Sequence, residues 1–166
     1  MPKPNIYVVK FGGSVVSGPL FLDWIRALNE WSKDRAVCIV PGGGVIAEAV
    51  RQLQIQTGLD DVTSHELALM AMRQIGMTIR ACSAIQPKWV RLTDLNANNQ
   101  TGVPSLWVPN IEEFEFSGLP KDWSVSSDSI ALWLEKQINA RSEERRVGEE
   151  CRARRASAAE TRKNVI

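Results

Sequence analysis

Histidine occurs once, at position 65, and cysteine three times, at positions 38, 82 and 151. That scarcity narrows the chemistry. The cysteine spacing makes neither a zinc knuckle nor a Cys-x-x-Cys redox pair, and a lone histidine is poor material for a metal centre. No metal ligands are therefore expected. No disulfide framework is suggested, which suits a reducing cytoplasm. No apolar run approaches the ~20 residues that span a bilayer. The short apolar run near the start meets Lys10 and two glycines too early for a secretory leader, so a cytoplasmic protein without membrane contact is expected. A net charge of +1 gives no reason to invoke nucleic acid.

What the chain does hold is enough apolar material for a core. Of its 166 residues 44% are hydrophobic, and the length is that of one ordinary domain. Two unbroken apolar runs stand out. Ile6-Tyr7-Val8-Val9 leads into Lys10-Phe11-Gly12-Gly13-Ser14, and Ala36-Val37-Cys38-Ile39-Val40 leads into Pro41-Gly42-Gly43-Gly44. Such runs fit strands buried on both faces, as in a parallel sheet covered by helices. A helical stripe follows each: Leu20, Phe21, Trp24, Ile25, Leu28 and Trp31, then Val45, Ile46, Ala49, Val50 and Leu53. The first stripe is expected to pack, its two tryptophans included, the second marks a helix, and Cys38 is expected to be a small core residue. The expected fold is α/β, a mainly parallel sheet sandwiched between helices.

The strand–glycine–helix device thus occurs twice in close succession. Glycines let the backbone turn sharply and approach a ligand, and free N–H groups at a helix start favour phosphate. Lys10 adds a positive charge at the C-terminal end of its strand, where open α/β sheets take ligands. The same residues also fit a plain Gly-Gly turn with Lys10 as a solvated strand end, and the residues alone leave both readings open. Neither loop follows G-x-G-x-x-G, which argues against a dinucleotide fold. Three glycines in a row are costly in conformational entropy, so valine at position 43 is expected to damage ligand binding more than folding.

Thr63-Ser64-His65-Glu66 reads as a capping box with Thr63 as N-cap. It opens a helix to about Arg80, with Leu67, Met70, Ala71 and Ile75 among its buried positions. His65, in the first turn, is expected to be structural or at the surface. Residues 88–92 and 105–108 are short strand candidates, Glu112, Glu113 and Glu115 an acidic solvated turn, and residues 119–123 a loop. Ser126-Ser127-Asp128-Ser129 opens a last helix, continued by Ile130, Trp133, Leu134 and Ile138. Hydroxyl and carboxylate groups suit the free N–H groups of a helix start, which accounts for Asp128 without any chemistry.

Three segments in order resemble the amino acid kinase family, which includes acetylglutamate, aspartate, uridylate and isopentenyl phosphate kinases. They are Val9-Lys10-Phe11-Gly12-Gly13-Ser14, Val40-Pro41-Gly42-Gly43-Gly44 and Val125-Ser126-Ser127-Asp128-Ser129-Ile130-Ala131, and the resemblance spans residues 5–139. Residues 65–72, Leu106-Trp107-Val108-Pro109 and residues 119–125 are similar to a smaller branch. That branch holds the aminomethylfuran phosphate kinases of methanofuran biosynthesis and their relatives in methylotrophic bacteria. The resemblance implies a phosphotransferase that moves a phosphoryl group from ATP, with Mg²⁺, onto a small phosphorylated acceptor to give a diphosphate. A homo-oligomer is compatible with it. It implies that Lys10 stabilises charge on the transferred group and that Asp128 organises the catalytic lysines. It implies Gly12, Gly13 and Ser14 as the ATP phosphate loop, and Gly42, Gly43 and Gly44 as the loop that meets the acceptor. Catalysis of this kind is mostly positioning plus charge stabilisation. The rivals are a kinase forming an acyl phosphate on a carboxylate, and a non-catalytic anion-binding or storage subunit of the same fold.

Beyond Ile138 the chain departs from the family. Relatives continue with an apolar strand, a lysine, an aspartate-glycine turn and the rest of the nucleotide-binding half. Here Asn139-Ala140 runs into Arg141-Ser142-Glu143-Glu144-Arg145-Arg146. Residues 141–166 hold 8 of the 20 Lys/Arg and 5 of the 19 Asp/Glu, a local net of +3, with no apolar strand to be drawn. The stretch reads as translated adaptor sequence fused in frame, or else as a native basic tail, and disorder is expected in either case. Residues 1–140 are thus expected to be the N-terminal part of an amino acid kinase-like domain. Most of the nucleotide-binding half would be missing, including the second lysine, and activity would be impaired.

Overall fold

The computed structural model describes residues 6–95 and 101–138. Strand β1 (Ile6–Phe11) enters a short helix α1 (Gly13–Val16) and then α2 (Phe21–Trp31). Strand β2 (Ala36–Pro41) enters α3 (Gly44–Thr57), followed by the long α4 (Asp61–Cys82). Then come β3 (Lys88–Trp89), α5 (Leu92–Leu95), β4 (Ser105–Leu106), α6 (Ile111–Glu115) and α7 (Ser127–Ile138). The strands form one parallel sheet in the order β1-β2-β4-β3, the α/β architecture expected from the two buried runs. The expectations for residues 141–166 lie outside the described residues.

Every residue of β2 is buried. Ala36, Cys38 and Val40 join one core cluster and Val37 and Ile39 the other, the period-2 alternation of a strand covered on both faces. The first cluster takes in Ile130, Leu134 and Ile138 of α7, with Trp107 stacked on Trp133 at 6.2 Å between ring centroids. The second takes in Phe21, Ile25 and Leu28 of α2. Helix α4 serves both, giving Leu69 and Met72 to the first and Ile75 and Ile79 to the second.

Packing, rather than local signals, decided several elements. Asp60 is the N-cap of α4, its side chain accepting from the Thr63 amide at 2.8 Å, so the helix starts ahead of the Thr63 box. A cap is worth about 1 kcal/mol, whereas each buried apolar side chain contributes ~1.5–3 kcal/mol; the buried face sets where α4 lies. Met70 falls off that face and is exposed, against expectation. Helix α3 buries none of its side chains fully, and Val45 and Leu53 of its stripe are exposed, because it packs mainly on α4 and sends Ile46 against the second cluster. Trp24 is likewise exposed, while Trp31 packs on Tyr7 with centroids 5.1 Å apart. The two later strands shrink to two residues each, and Leu92 opens α5. The acidic turn is helix α6. Asn110 caps it, accepting from the Glu113 amide at 2.6 Å, and the Glu113 carboxylate accepts from the amides of Asn110 and Leu92.

Gly76 lies where α4 crosses the sheet. A Cβ there would stand 2.7 Å from Cη2 of Trp89, 3.0 Å from Cδ2 of Leu106 and 3.3 Å from Cγ of Pro41. Replacing a helical glycine by alanine ordinarily gains ~1 kcal/mol, but overpacking costs ~1–3 kcal/mol. Gly76→Ala is therefore expected to lower stability by about 1 kcal/mol in urea denaturation; a gain would show that the indole moves aside freely.

Candidate functional site

The parallel register of β1 on β2 pairs Lys10 with Val40 and Phe11 with Pro41. It therefore sets the two glycine loops side by side. The Gly42 amide donates to the Phe11 carbonyl at 2.8 Å, one step beyond the strands. A Cβ on Gly13 would overlap the backbone N and Cα of Gly44, and one on Gly44 would stand 3.0 Å from the Gly13 carbonyl oxygen. Gly44 also has φ +54°, the left-handed region that favours glycine. A Cβ on Gly42 would come to 2.8 Å from the Gly13 amide N, and one on Gly43 would overlap Cβ of Ala47. The first thing these backbones approach closely is each other. The expectation for valine at position 43 is corrected accordingly: it disturbs the entry to α3 before it reaches any ligand. Gly12 differs, with an ordinary extended backbone and only van der Waals neighbours, Nζ of Lys10 among them at 3.6 Å from its Cβ position.

The start of α7 closes this junction. Nζ of Lys10 lies 3.1 Å from Oδ1 of Asp128. Ser126 does the capping, its Oγ accepting from the Ser129 amide at 3.3 Å. Asp128 is thus not the cap, although its carboxylate stands in the first turn of α7, where the helix dipole favours it. Its side chain is 65% exposed and that of Lys10 20% exposed. A pair this open contributes ~0–1 kcal/mol to stability, so folding gains little from it. The helix is held instead by Ile130 and Leu134 in the core. Lys10, Gly12, Gly13, Gly42, Gly44 and Asp128 converge here, with Ser14 exposed on the first turn of α1. A fixed cation, backbone N–H groups and a helix N-terminus around one open point make a place suited to phosphate oxygens.

The family model for the amino acid kinase family matches residues 5–142. The chain belongs to the amino acid kinase family. It is 26% identical over 140 residues to the [5-(aminomethyl)furan-3-yl]methyl phosphate kinase of Methanocaldococcus jannaschii, a match covering 82% of this chain and 62% of that protein. Its fold is similar to that of the uridylate kinase of Archaeoglobus fulgidus, with a TM-score of 0.60, 16% identity, and coverage of 82% of this chain and 59% of the other. The chain thus spans less than two thirds of the length of either relative. No helix among the described residues is long and apolar enough to cross a membrane, and no cluster of three or more metal-ligating side chains forms among them.

Within this amino acid kinase fold two further residues stand close to the junction or its surroundings. Ser127 Oγ would lie 3.3 Å from a Cβ on Gly42, and it makes no hydrogen bond among the described residues. In the sequence its hydroxyl looks like one more capping group; only the helix phase shows that Ser126 holds that position. His65 is buried, packed on Phe114 at 4.3 Å between ring centroids, with its Nε2 unpartnered. Helix α4 passes the second glycine loop at Ala71, whose Cβ is 3.7 Å from the Cβ position of Gly43. His65 is six residues, or roughly 9 Å, further toward the N-terminus of that helix.

Two expectations follow from this geometry. Gly13→Ala forces two backbones apart and is expected to cost ~3 kcal/mol or more, whereas Gly12→Ala stays within ~0.5 kcal/mol of wild type, as chemical denaturation will show. Burial holds the His65 imidazole below its ordinary pKa, opposed by the backbone and carboxylate of Asp122. The unfolded chain therefore takes up a proton at a pH where the folded chain does not. The contribution is complete above the ordinary value of 6.5 and is lost as pH falls from there toward the lowered one. Melting temperatures across that window should fall on acidification, and His65→Gln should flatten the slope. Asp60 and Asp122, whose carboxyls are lowered by hydrogen bonds from Thr63 and Ser124, act at lower pH.

Proposed function

We propose that these residues form part of the site of an ATP-dependent small-molecule kinase that adds a phosphoryl group to a phosphate monoester. The observation that carries the reading is the Lys10–Asp128 pair set against the junction of the two glycine loops. Similarity to a phosphate kinase supports the phosphate acceptor over a carboxylate. In this reading Lys10 neutralises charge developing on the transferred group, and Asp128 keeps its ammonium aimed at the junction. Gly12, Gly13 and Ser14 present N–H and hydroxyl donors to the donor phosphates, and Gly42, Gly43 and Gly44 hold the acceptor side. Ser127 adds a hydroxyl where the loops meet. The unpartnered Nε2 of His65 gains a partner if an acceptor oxygen reaches it. Mg²⁺ binds ATP mainly through phosphate oxygens and water, with one or two carboxylates; Asp128 is an exposed carboxylate that fits such a complex. When bound, Mg²⁺-ATP supplies the phosphoryl group and neutralises part of its charge.

The test is ³¹P NMR of ATP and Mg²⁺ with panels of phosphate monoesters and carboxylates, on a full-length protein carrying residues 6–138. A diphosphate product supports the reading. An acyl phosphate, trapped with hydroxylamine, would overturn it in favour of a carboxylate kinase, and acceptor binding without turnover would favour a binding subunit. In the same protein Lys10→Met is expected to lower kcat about a hundred- to a thousandfold, with little change in melting temperature. Unchanged turnover would remove Lys10 from the catalytic machinery. Residues 1–166 alone are expected to turn over slowly, since they match only 62% of the kinase relative.

A further inference from the structure

We propose that the β3 edge of the sheet carries a second ligand site, for a small anion with a flat apolar body, separate from the glycine junction. A depression of about 350 Å³ opens there, lined by Arg73, Met77, Arg80, Ala81, Gln86 and Trp89. Small-molecule sites occupy ~300–1,000 Å³, so the space suits a ligand of one ring. In the strand order β1-β2-β4-β3 it lies at the opposite end from β1 and Lys10, roughly 14 Å away at ~4.8 Å per strand.

The residues make a specific surface. Arg73, Met77, Arg80 and Ala81 recur at helical spacing and share one face of α4. The Arg73 guanidinium stands 4.7 Å from the centre of the Trp89 ring. Arg80 donates from Nε to the Pro87 carbonyl at 3.2 Å, which orients its guanidinium and leaves both Nη groups for another acceptor. Neither arginine has a carboxylate partner among the described residues, whereas Arg26, Arg35 and Arg51 each do. Met77 is 58% exposed and, with the indole, offers an apolar, polarisable surface between the two charges. Gly76 in mid-helix is what lets the indole lie this close to α4. Two guanidiniums without carboxylate partners among the described residues recognise a carboxylate or a phosphate in forked geometry, and the Met77 thioether, with the part of the indole that Arg73 leaves uncovered, takes the flat part of the same molecule. The shared chemistry is a ring bearing an anionic group.

The test is titration of the chain with benzoate, phenyl phosphate and inorganic phosphate, followed through the indole N–H resonances by ¹⁵N NMR, with Trp89→Phe assigning the Trp89 signal. Benzoate or phenyl phosphate is expected to shift that signal saturably, and the tighter of the two identifies carboxylate or phosphate as the preferred group. Inorganic phosphate, which lacks the flat body, is expected to bind more weakly. Arg73→Gln and Arg80→Gln are each expected to weaken binding about tenfold or more, with at most the small loss of melting temperature that follows from giving up the contacts to Trp89 and the Pro87 carbonyl. Lys10→Met should leave the Trp89 response intact, which keeps this site distinct from binding at the glycine junction. The proposal is overturned by the absence of a saturable Trp89 shift, by an unchanged response in the doubly substituted chain, or by inorganic phosphate binding as tightly as the ring-bearing anions. It is also overturned if the Trp89 signal moves with protein concentration alone, which would mark this face as a contact between copies.

Discussion

The contact between the backbones of Gly13 and Gly44 is the constraint on which the rest of the site depends. It exists because β1 and β2 pair in parallel with Lys10 opposite Val40, so both chains leave the sheet at the same level. A slip of one residue would turn Lys10 and every core residue of β1 to the opposite face. Ile6 and Val8 fill one core cluster and Phe11 the other, edge-on to Phe21, so the slip would drive Phe11 out of its own cluster and Lys10 into it. The apolar core thereby fixes where the cation stands, although the cation contributes almost nothing to the core.

The same division of labour holds at α7. Ile130, Leu134 and Ile138 bind the helix into the core, and Ser126 satisfies its first free N–H group. Neither function needs Asp128. Its carboxylate meets Lys10 in an open setting where the attraction is worth little to stability. Packing places the pair and stability gains little from it, which is why the proposed site is read from these two residues. Packing supplies the precision with which the charges are placed.

Much of this was legible in the residues. The two buried strands, the parallel α/β architecture, the paired glycine loops and the Ser-Asp helix start all carry local signals, since apolar runs, glycines and capping groups act within a few residues. The misreadings share a cause. Thr63 and Asp60 are both good caps, and only the buried face of α4 selects between them. Met70 sits at a periodic position of α4, yet it falls off the face that the core buries. For the lone histidine, expected to be structural or at the surface, burial against Phe114 selects the structural reading, and that partner comes from a distant segment.

By itself the sequence determined which segments become strands, where the backbone must bend without side chains, and which charged residues stand beside those bends. These are consequences of short-range sterics and of apolar periodicity. Only the tertiary structure decided that the glycines are needed first against each other, that Ser126 and not Asp128 caps α7, and that Arg73 and Arg80 meet Trp89 across the edge of the sheet. Each of those depends on segments far apart in the chain being brought to one place by the burial of a common core, and that is information no local pattern contains.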